Sequence, residues 1–488
     1  LNLIWFRSDL RVHDNPALAA ACASGQCVAA YCLAPEQWRM HDVSPWKMDL
    51  IRRQLLVLAE DLNELNVPLI VLEVGDFDQL PVRLANWARE HGIAQVFWNE
   101  EYELNEQACA QALATCLVQF GMDSRRFHDQ CALAPGALYN RSGAMYRVFG
   151  AFRRAYLQAW SAQARALVGR PQKQQRPPLS SDLSALRDWP SAAPANAASM
   201  WPAGETWALS CLQNFVDTRA EYYAERRDFP AVDGTSAISP WLAIGALSTR
   251  QCLQAVLNAN DGRLDGANTG FEVWVNELIW REFYRHLIAA FPDLCRHRPF
   301  LADTDRLPWR HDRVGFQRWC EGQTGFPIVD AAMRQLSQTG WMHNRLRMIS
   351  AMFLTKDLFI DWRWGERHFM QHLVDGDMAS NNGGWQWCAS TGADAAPYFR
   401  IFNPYRQSQR FDPDGRFIRR WVPELRELDD AAIHQPSLAQ AAACGYAAPI
   451  IDHARASQET QRLFAALGKQ QNTELVYQTP HFAQEALL

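Results

Sequence analysis

No run of about 18 consecutive apolar residues occurs in the chain, so a membrane-spanning helix is not expected. Leu1 to Arg7 lack the charged segment, apolar run and small-residue cleavage site of a secretory signal, which points to a cytoplasmic protein. The 12 cysteines include no Cys-x-x-Cys pair and are scattered, as at Cys22, Cys109, Cys211 and Cys388; they read as reduced thiols rather than a disulfide framework. Histidines, cysteines and carboxylates show no zinc-type spacing. Asp375-Gly-Asp377 lacks the Glu that an EF-hand needs at its twelfth position, so no metal is expected. Gly-x-Gly-x-x-Gly and Gly-x-x-x-x-Gly-Lys-Ser/Thr are both absent, which disfavours a Rossmann dinucleotide site and a P-loop. An excess of positive charge is missing as well. At net charge -5 a nucleic-acid binder would have to rely on a local basic surface. No internal repeat is present.

What the sequence does hold is an ordinary globular balance, 48% apolar and 21% charged, which excludes a disordered chain, a collagen-like repeat and a coiled-coil rod. Its 488 residues, at roughly 150 per domain, allow two to four domains. Twenty tryptophans stand out as hydrophobes, stacking surfaces or electron donors, and composition does not choose among these. Over residues 1–130, apolar runs at Leu3–Phe6, Cys27–Cys32, Val67–Leu72 and Gln95–Trp98 alternate with helical spacing at Asp49–Leu65, Gln79–His91 and Leu104–Phe120. That alternation predicts a doubly wound parallel sheet, an α/β domain with ligands beyond its strand ends, where Arg7 to Asn15 follow the first strand. Residues 131–205 read as an interdomain connector, rich in Pro, Ala and Ser from Gly169 onward. Residues 206–488 lose the strand signals and read as an all-α domain, with helical spacing at Thr249–Leu257, Glu272–Phe291, Ile328–Gly340, Arg345–Phe359 and Glu366–Leu373.

Four segments of this half carry chemistry. Thr235, Ser236 and Ser239 offer hydroxyls just before a helix starting near Pro240, which suits an anionic phosphate; plain N-capping by Ser239 is the competing reading. Trp274, Glu277, Arg281 and Tyr284 step by three or four, with Trp280 beside them. They present aromatics, a carboxylate and a guanidinium on one face, fit for a flat hydrogen-bonding ligand or for a core face with a salt bridge. Trp341, Asn344, Arg345 and Met348 share a face that reads as a pocket wall, where Trp341 and Met348 alone would read as core. Asp375-Gly-Asp-Met-Ala-Ser-Asn-Asn-Gly-Gly-Trp-Gln-Trp387 joins two acids, amides, glycines and tryptophans.

These segments, in this order, resemble the photolyase/cryptochrome family, most closely its bacterial class I cyclobutane pyrimidine dimer (deoxyribodipyrimidine) photolyases. The likeness runs from about Asn2 to Leu425. It includes Trp5-Phe-Arg-Ser-Asp-Leu-Arg-Val-His-Asp-Asn15, Asp228-Phe-Pro to Leu242, Trp274-Val-Asn-Glu-Leu-Ile-Trp-Arg-Glu-Phe283, Gly340-Trp-Met-His-Asn-Arg-Leu-Arg-Met348 and Ala396-Pro-Tyr-Phe-Arg-Ile-Phe-Asn-Pro404. The resemblance implies FAD in the helical domain and an antenna chromophore near the α/β domain. Tyr223, Thr235, Ser236 and Ser239 would hold the FAD phosphates. Trp274 would lie close to FAD, Asp375 and Asp377 would anchor its ribityl and flavin end, Arg347 would pair with Asp375, and Asn381 would sit near flavin N5. Ala237, Ile238, Arg281, Asn344 and Gly376 complete that set, with Ala237 standing where the family usually has a basic residue.

On the substrate side the resemblance places Glu277, Trp280, Asn344, Arg345, Met348, Trp387 and Gln407 at the lesion or on DNA, with Arg281 beside them. Asn344 and Met348 stand where the related (6-4) enzymes carry histidines, which favours a thymine dimer. Arg400, Arg406, Arg410, Arg416, Arg419 and Arg420 read as a phosphate-contacting rim, with a solvated basic loop as the competing reading. The lesion is poorly stacked, and photolyases are themselves a standard example of enzymes that extrude the target base. Light-driven electron transfer from reduced FAD to the dimer is the implied reaction, and Trp385, Trp362 and Trp309 match the family's chain of electron carriers. His41, Asn105, Glu106 and Cys295 match an antenna site for 5,10-methenyltetrahydrofolate, with Arg296 in place of a Lys; a deazaflavin or an empty site stays open. The expected partner is damaged DNA, and the expected state is a monomer. A cryptochrome signalling through a protein partner is the alternative, opposed by the lesion-pocket set and by the 63 residues after Leu425. A non-photochemical α/β nucleotide-binding protein is opposed by the missing phosphate-loop motifs.

Overall fold

The computed structural model of the chain describes residues 1–163, 167–187, 189 and 192–475. Among these, five strands form one parallel sheet: β1 (Asn2–Phe6), β2 (Cys27–Leu33), β3 (Leu69–Glu73), β4 (Gln95–Asn99) and β5 (Asp123–Phe127), in the order β3-β2-β1-β4-β5. Helices α1 (Pro16–Ala23), α2 (Pro45–Glu64), α3 (Leu80–Glu90) and α4 (Leu104–Gln119) cover its two faces. Alternation along β1 sets the layers. Ile4 and Phe6 pack with Leu18, Leu55 and Leu58 on one face, and Leu3 and Trp5 with Leu84 and Leu113 on the other. Burial on both faces is why these strands read as continuous apolar runs.

β5 is the exception, because its sequence Asp-Ser-Arg-Arg-Phe carries no apolar run. It pairs in register with β4, and Arg125 lies over the Phe97 ring while Arg126 lies over Trp98. A charged strand is what a sheet edge favours, since it deters further pairing. At the opposite edge, Asp182 of the Pro-rich segment bonds β3 through Val71 N–H at 2.8 Å and Leu69 O at 2.9 Å. Within residues 131–205 a helix, α5 (Phe149–Gln163), packs Phe152 against Phe283 and His286 with ring centroids at 5.2 and 5.0 Å.

The C-terminal half is helical. The elements that build its interior are α6 (Glu205–Thr218), α7 (Ser239–Ala243), α8 (Thr249–Ala259), α9 (Thr269–Ala290), α10 (Pro327–Thr339), α11 (Asn344–Met352), α12 (Trp362–His372), α13 (Met378–Ala389), α14 (Pro404–Phe411) and α15 (His453–Leu475). The helical spacing at Arg345–Phe359 predicts one continuous helix. Instead α11 ends at Met352 and a π turn follows over Phe353–Asp357. That turn brings the Lys356 ammonium inward to the Ala389 carbonyl at 3.1 Å and Ser390 Oγ at 2.8 Å, a use of local register slip.

A buried ionic cluster joins the halves. Arg250 pairs with Asp14 at 2.9 Å and with Asp129 at 2.5 Å, and Arg11 reaches both Asp129 and the Gly245 carbonyl at 3.0 Å. Gly245 must be glycine, since it has φ +68° and a Cβ there would stand 2.0 Å from the Ser8 carbonyl.

Candidate active site

A cavity of about 460 Å³ opens among α7, α9, α11 and α13. Its floor is ionic. Asp375 accepts Ser239 Oγ–H at 2.6 Å and Arg347 at 2.8 Å, and Asp377 is paired with Arg285. Asp377 also caps α13 by accepting the Ser380 N–H at 2.8 Å. Burial works to raise the Asp377 pKa, but Arg285 and Arg281 overcome it and hold the carboxyl well below the usual carboxylate range. At one end stand Thr235, Ser236, Ala237 and Ile238, with Ala237 in the left-handed region at φ 50°. Trp274 Nε1 donates to Ser236 Oγ and Trp341 Nε1 to Ser239 Oγ, each at 3.3 Å, so two indoles fix the hydroxyls of this loop. Tyr223, Arg281, Asn344 and Asn381 line the same space. Asn381 spends its amide N–H on the Glu366 carbonyl at 2.9 Å, which leaves its carbonyl oxygen to offer. Arg281 donates to the Gln130 and Leu242 carbonyls at 2.9 and 3.1 Å.

Glu277, Trp280, Met348 and Trp387 also line this cavity. Glu277 is paired with Arg227 at 2.7 Å. Trp280 is stacked on Phe149 of α5, ring centroids 3.7 Å apart and planes within 5°. Arg345 does not line the cavity; it pairs with Asp228 at 2.8 Å and covers the Phe411 ring at 4.5 Å. Gln407 stands one turn before Phe411 on α14, also outside the lining. Arg400, Arg406, Arg410, Arg416 and Arg420 are exposed nearby in sequence, whereas Arg419 is tied to Asp430 at 2.9 Å.

Trp385 is buried in the cavity wall, and its indole N–H has no hydrogen-bond partner among the described residues. Trp362 is buried on α12, which packs so closely on α13 that a Cβ on Gly365 would stand 2.1 Å from Trp385 Cη2. Trp309 is half-buried against Phe359 at 4.8 Å, beside the Arg310–Ile360 bridge that leads into α12. Trp385 thus lines the cavity, Trp362 is buried on the adjoining helix, and Trp309 is half-buried on the segment bridged to the residues before that helix.

A second cavity, about 760 Å³, lies beyond the carboxyl ends of β1 and β4, where the strand order reverses. His41, Asn105, Glu106 and Cys295 line it, with His41 receiving an Asn105 contact at 2.9 Å. Arg296 does not; it is exposed and paired with Asp293 at 2.7 Å. Gly376 lines this cavity rather than the first, its carbonyl accepting Lys47 Nζ–H at 2.7 Å. Three acids crowd here: Glu101, Glu103 and Glu106. Burial pushes Glu103 and Glu106 up to about 7, and neighbouring carboxylates add to the rise.

Arg227, Phe149, Arg285, Lys47 and Glu103 belong to no motif of the sequence that pointed to a site. Arg285 was within reach, being one turn beyond Arg281 on the same face. Arg227 and Phe149 meet their partners across long stretches of chain and leave no local signal.

The family model described as the FAD binding domain of DNA photolyase matches residues 274–466, and that described as DNA photolyase matches residues 2–174. A deoxyribodipyrimidine photo-lyase of Vibrio cholerae is 47% identical over 469 residues, covering 95% of this chain and 99% of that protein. A class III photolyase of Agrobacterium tumefaciens superposes with a TM-score of 0.84 at 35% identity, covering 96% of this chain and 98% of that one. A Synechocystis cryptochrome gives a TM-score of 0.82 at 30% identity, covering 94% of this chain and 98% of that one.

Proposed function

The chain belongs to the DNA photolyase family, and on that premise we propose that it is a deoxyribodipyrimidine photo-lyase, repairing cyclobutane pyrimidine dimers in DNA with light and FAD. The observation that carries the reading is one cavity with two kinds of wall: a floor of arginine-held carboxylates, and a side of Glu277, Trp280, Met348 and Trp387.

The donor set of the first cavity fits FAD. Hydroxyls of Thr235, Ser236 and Ser239 suit phosphate oxygens, and Asp375 and Asp377 suit ribityl and ring N–H groups. When bound, FAD supplies the light-driven electron that opens the cyclobutane ring and is then returned. Everything else falls to the chain. Arg285 keeps Asp377 ionised, and Arg347 holds Asp375 in place. Glu277, oriented by Arg227, hydrogen-bonds the thymines, and Trp280 and Trp387 give an extruded lesion apolar faces to rest on. Arg345 and Gln407 serve the surrounding DNA together with the exposed arginines from Arg400 to Arg420. Trp385, Trp362 and Trp309 carry electrons inward from the surface to recharge an oxidised cofactor.

The second cavity is our candidate antenna site. Glu103 and Glu106 suit the cationic ring of 5,10-methenyltetrahydrofolate, and Arg7, Lys47 and Arg367 of the same wall suit its carboxylates. Among the described residues no helix is long and apolar enough to cross a membrane. A cytoplasmic monomer is the working assignment.

The deciding experiment mixes reduced, FAD-loaded protein with a thymine-dimer oligonucleotide under blue light and follows recovery of thymine ultraviolet absorbance. A rise in light and none in the dark is expected. No rise with FAD bound and reduced overturns the repair reading and leaves the cryptochrome one.

A further inference from the structure

Behind the first cavity, three metal-ligand side chains converge from distant parts of the chain. Cys131 lies in the loop after β5, and Glu282 and His286 stand one turn apart on α9. One ligand atom from each lies within 4.8 Å of the others, and all three residues are buried, at most 1% exposed. None of the three lines either cavity, although Arg281 and Arg285 lie close enough to act on Cys131 electrostatically.

The local hydrogen bonds prepare these groups for a cation. Ala132 and Leu133 N–H groups donate to the Glu282 carboxylate at 2.5 and 3.3 Å, which pins it and leaves further lone pairs. His286 Nε2 meets the Leu133 carbonyl at 2.9 Å. The proton therefore sits on Nε2, and Nδ1 presents its lone pair. A backbone carbonyl on the remote ring nitrogen is the usual support of a metal-binding histidine. Nδ1 itself is buried and has no hydrogen-bond partner among the described residues. An orphaned acceptor of this kind, deep in the protein beside a thiol and a carboxylate, calls for an occupant.

We propose that Cys131 Sγ, Glu282 and His286 Nδ1 form a structural zinc(II) site. Sulfur, imidazole and carboxylate together match a borderline-soft dication rather than calcium or magnesium. Binding releases the thiol proton, so a thiolate and a carboxylate balance the two positive charges. Tetrahedral zinc with bonds of ~2.0–2.3 Å asks the ligand atoms to close to roughly 3.5 Å apart, a matter of side-chain rotation. Tyr156 of α5 lies buried against Glu282, its hydroxyl lacking a well-formed hydrogen bond, and is placed to hydrogen-bond a water in the fourth position. The site staples the loop holding Gln130 to α9. Gln130 in turn receives Arg281 and Arg285, the arginines that face Asp377. The ligands come from two segments far apart in the chain, so no zinc-type spacing shows in the sequence.

The test is metal analysis of the FAD-loaded protein purified without added metal or chelator, followed by cobalt(II) substitution. One equivalent of zinc is expected. The cobalt-minus-zinc difference spectrum should show a sulfur-to-cobalt charge-transfer band, which Cys131→Ser abolishes with flavin binding intact. Chelation should lower the Tm of the unaltered protein and leave that of Cys131→Ser in place. A protein isolated without zinc that develops no band with cobalt under reducing conditions overturns the site and leaves a buried water on His286. A band that persists in Cys131→Ser overturns it equally. The first two readings use the unaltered protein and do not depend on whether the variant folds.

Discussion

The two cavities handle negative charge in opposite ways. In the helical half, Asp375, Asp377 and Glu277 each meet an arginine: Arg347, Arg285 and Arg227. In the cavity beyond the strand ends, Glu101 is paired with Arg7 at 2.7 Å and Glu106 faces His41 at 3.4 Å, yet burial beside like charge drives Glu103 and Glu106 up to about 7. The first site is preorganised, with its charges settled by the protein. The second leaves charge for its ligand to settle. Solvent replacement by fixed, already oriented dipoles is what a reacting centre needs, whereas a light-gathering site needs only to hold its chromophore.

The contrast breaks most visibly at Asp377. Asp377→Asn leaves the buried Arg285 guanidinium without its counter-charge, a loss of about 3–5 kcal/mol for a pair of this kind. The variant is expected to purify with little or no flavin and to melt well below the parent. The pH dependence has a definite sign. Asp377 has a depressed native pKa, so its contribution is fully present above the ordinary carboxylate value of ~4 and is lost only as pH falls toward the native value. The gap in Tm between parent and variant should be flat above that pH and narrow below it. Unchanged flavin content in Asp377→Asn would remove the central ionic anchor from the reading.

A second difference is the tryptophan route, which serves the first cavity alone. Trp309→Phe is expected to slow light-driven reduction of oxidised flavin by about tenfold or more, ~1.4 kcal/mol of barrier at least. Repair by chemically reduced protein should keep its rate. Unaltered photoreduction would count against Trp309 as the outer carrier.

Most of this was legible in the sequence, and the exceptions share a cause. β1 to β4 were visible because burial on both faces leaves apolar runs. β5 was not, because its fit depends on arginines lying over Phe97 and Trp98 of its neighbour. Helical spacing exposed Glu277 and Trp280. Their partners Arg227 and Phe149 come from other elements, and periodicity reports only along one element. The placement of Gly376 and Arg296 was likewise beyond reach. Neighbouring residues on a short segment face different cavities, and an exposed arginine finds the nearest acid, Asp293. Ordered motifs transmit which residues are present better than which way each one points.

The second cavity yields a smaller effect, and one tuned by pH. Burial pushes Glu103 and Glu106 up to about 7, so lowering pH through that range removes negative charge from the wall. A cationic antenna should then bind more weakly at pH 6 than at pH 8, by up to about tenfold per unit for each coupled proton. Flavin retention should not follow, because Asp377 stays ionised throughout. Retention of bound chromophore after gel filtration at the two pH values, read by absorbance, checks both. Affinity that rises toward acid pH would favour an anionic or neutral occupant.

The smallest expected effect tests preorganisation inside the first cavity itself. Trp280 is held flat against Phe149, 3.7 Å between centroids, whereas among the described residues no ring stacks on Trp387. Offset and edge-to-face aromatic pairs contribute about 0.5–1.5 kcal/mol beyond simple burial, and this face-to-face pair belongs at the low end of that range. Phe149→Ala frees the Trp280 ring, so part of the lesion's binding energy must go to ordering it. Dimer-containing DNA should bind a few-fold more weakly, at most about tenfold, with flavin absorbance unchanged because Phe149 lies outside the cavity lining. Trp387→Phe, which keeps a ring but had no stacked partner to lose, provides the contrast. If Phe149→Ala binds the lesion as tightly as the parent, the stacked pair is packing alone, and Trp280 reaches its working orientation only when DNA arrives.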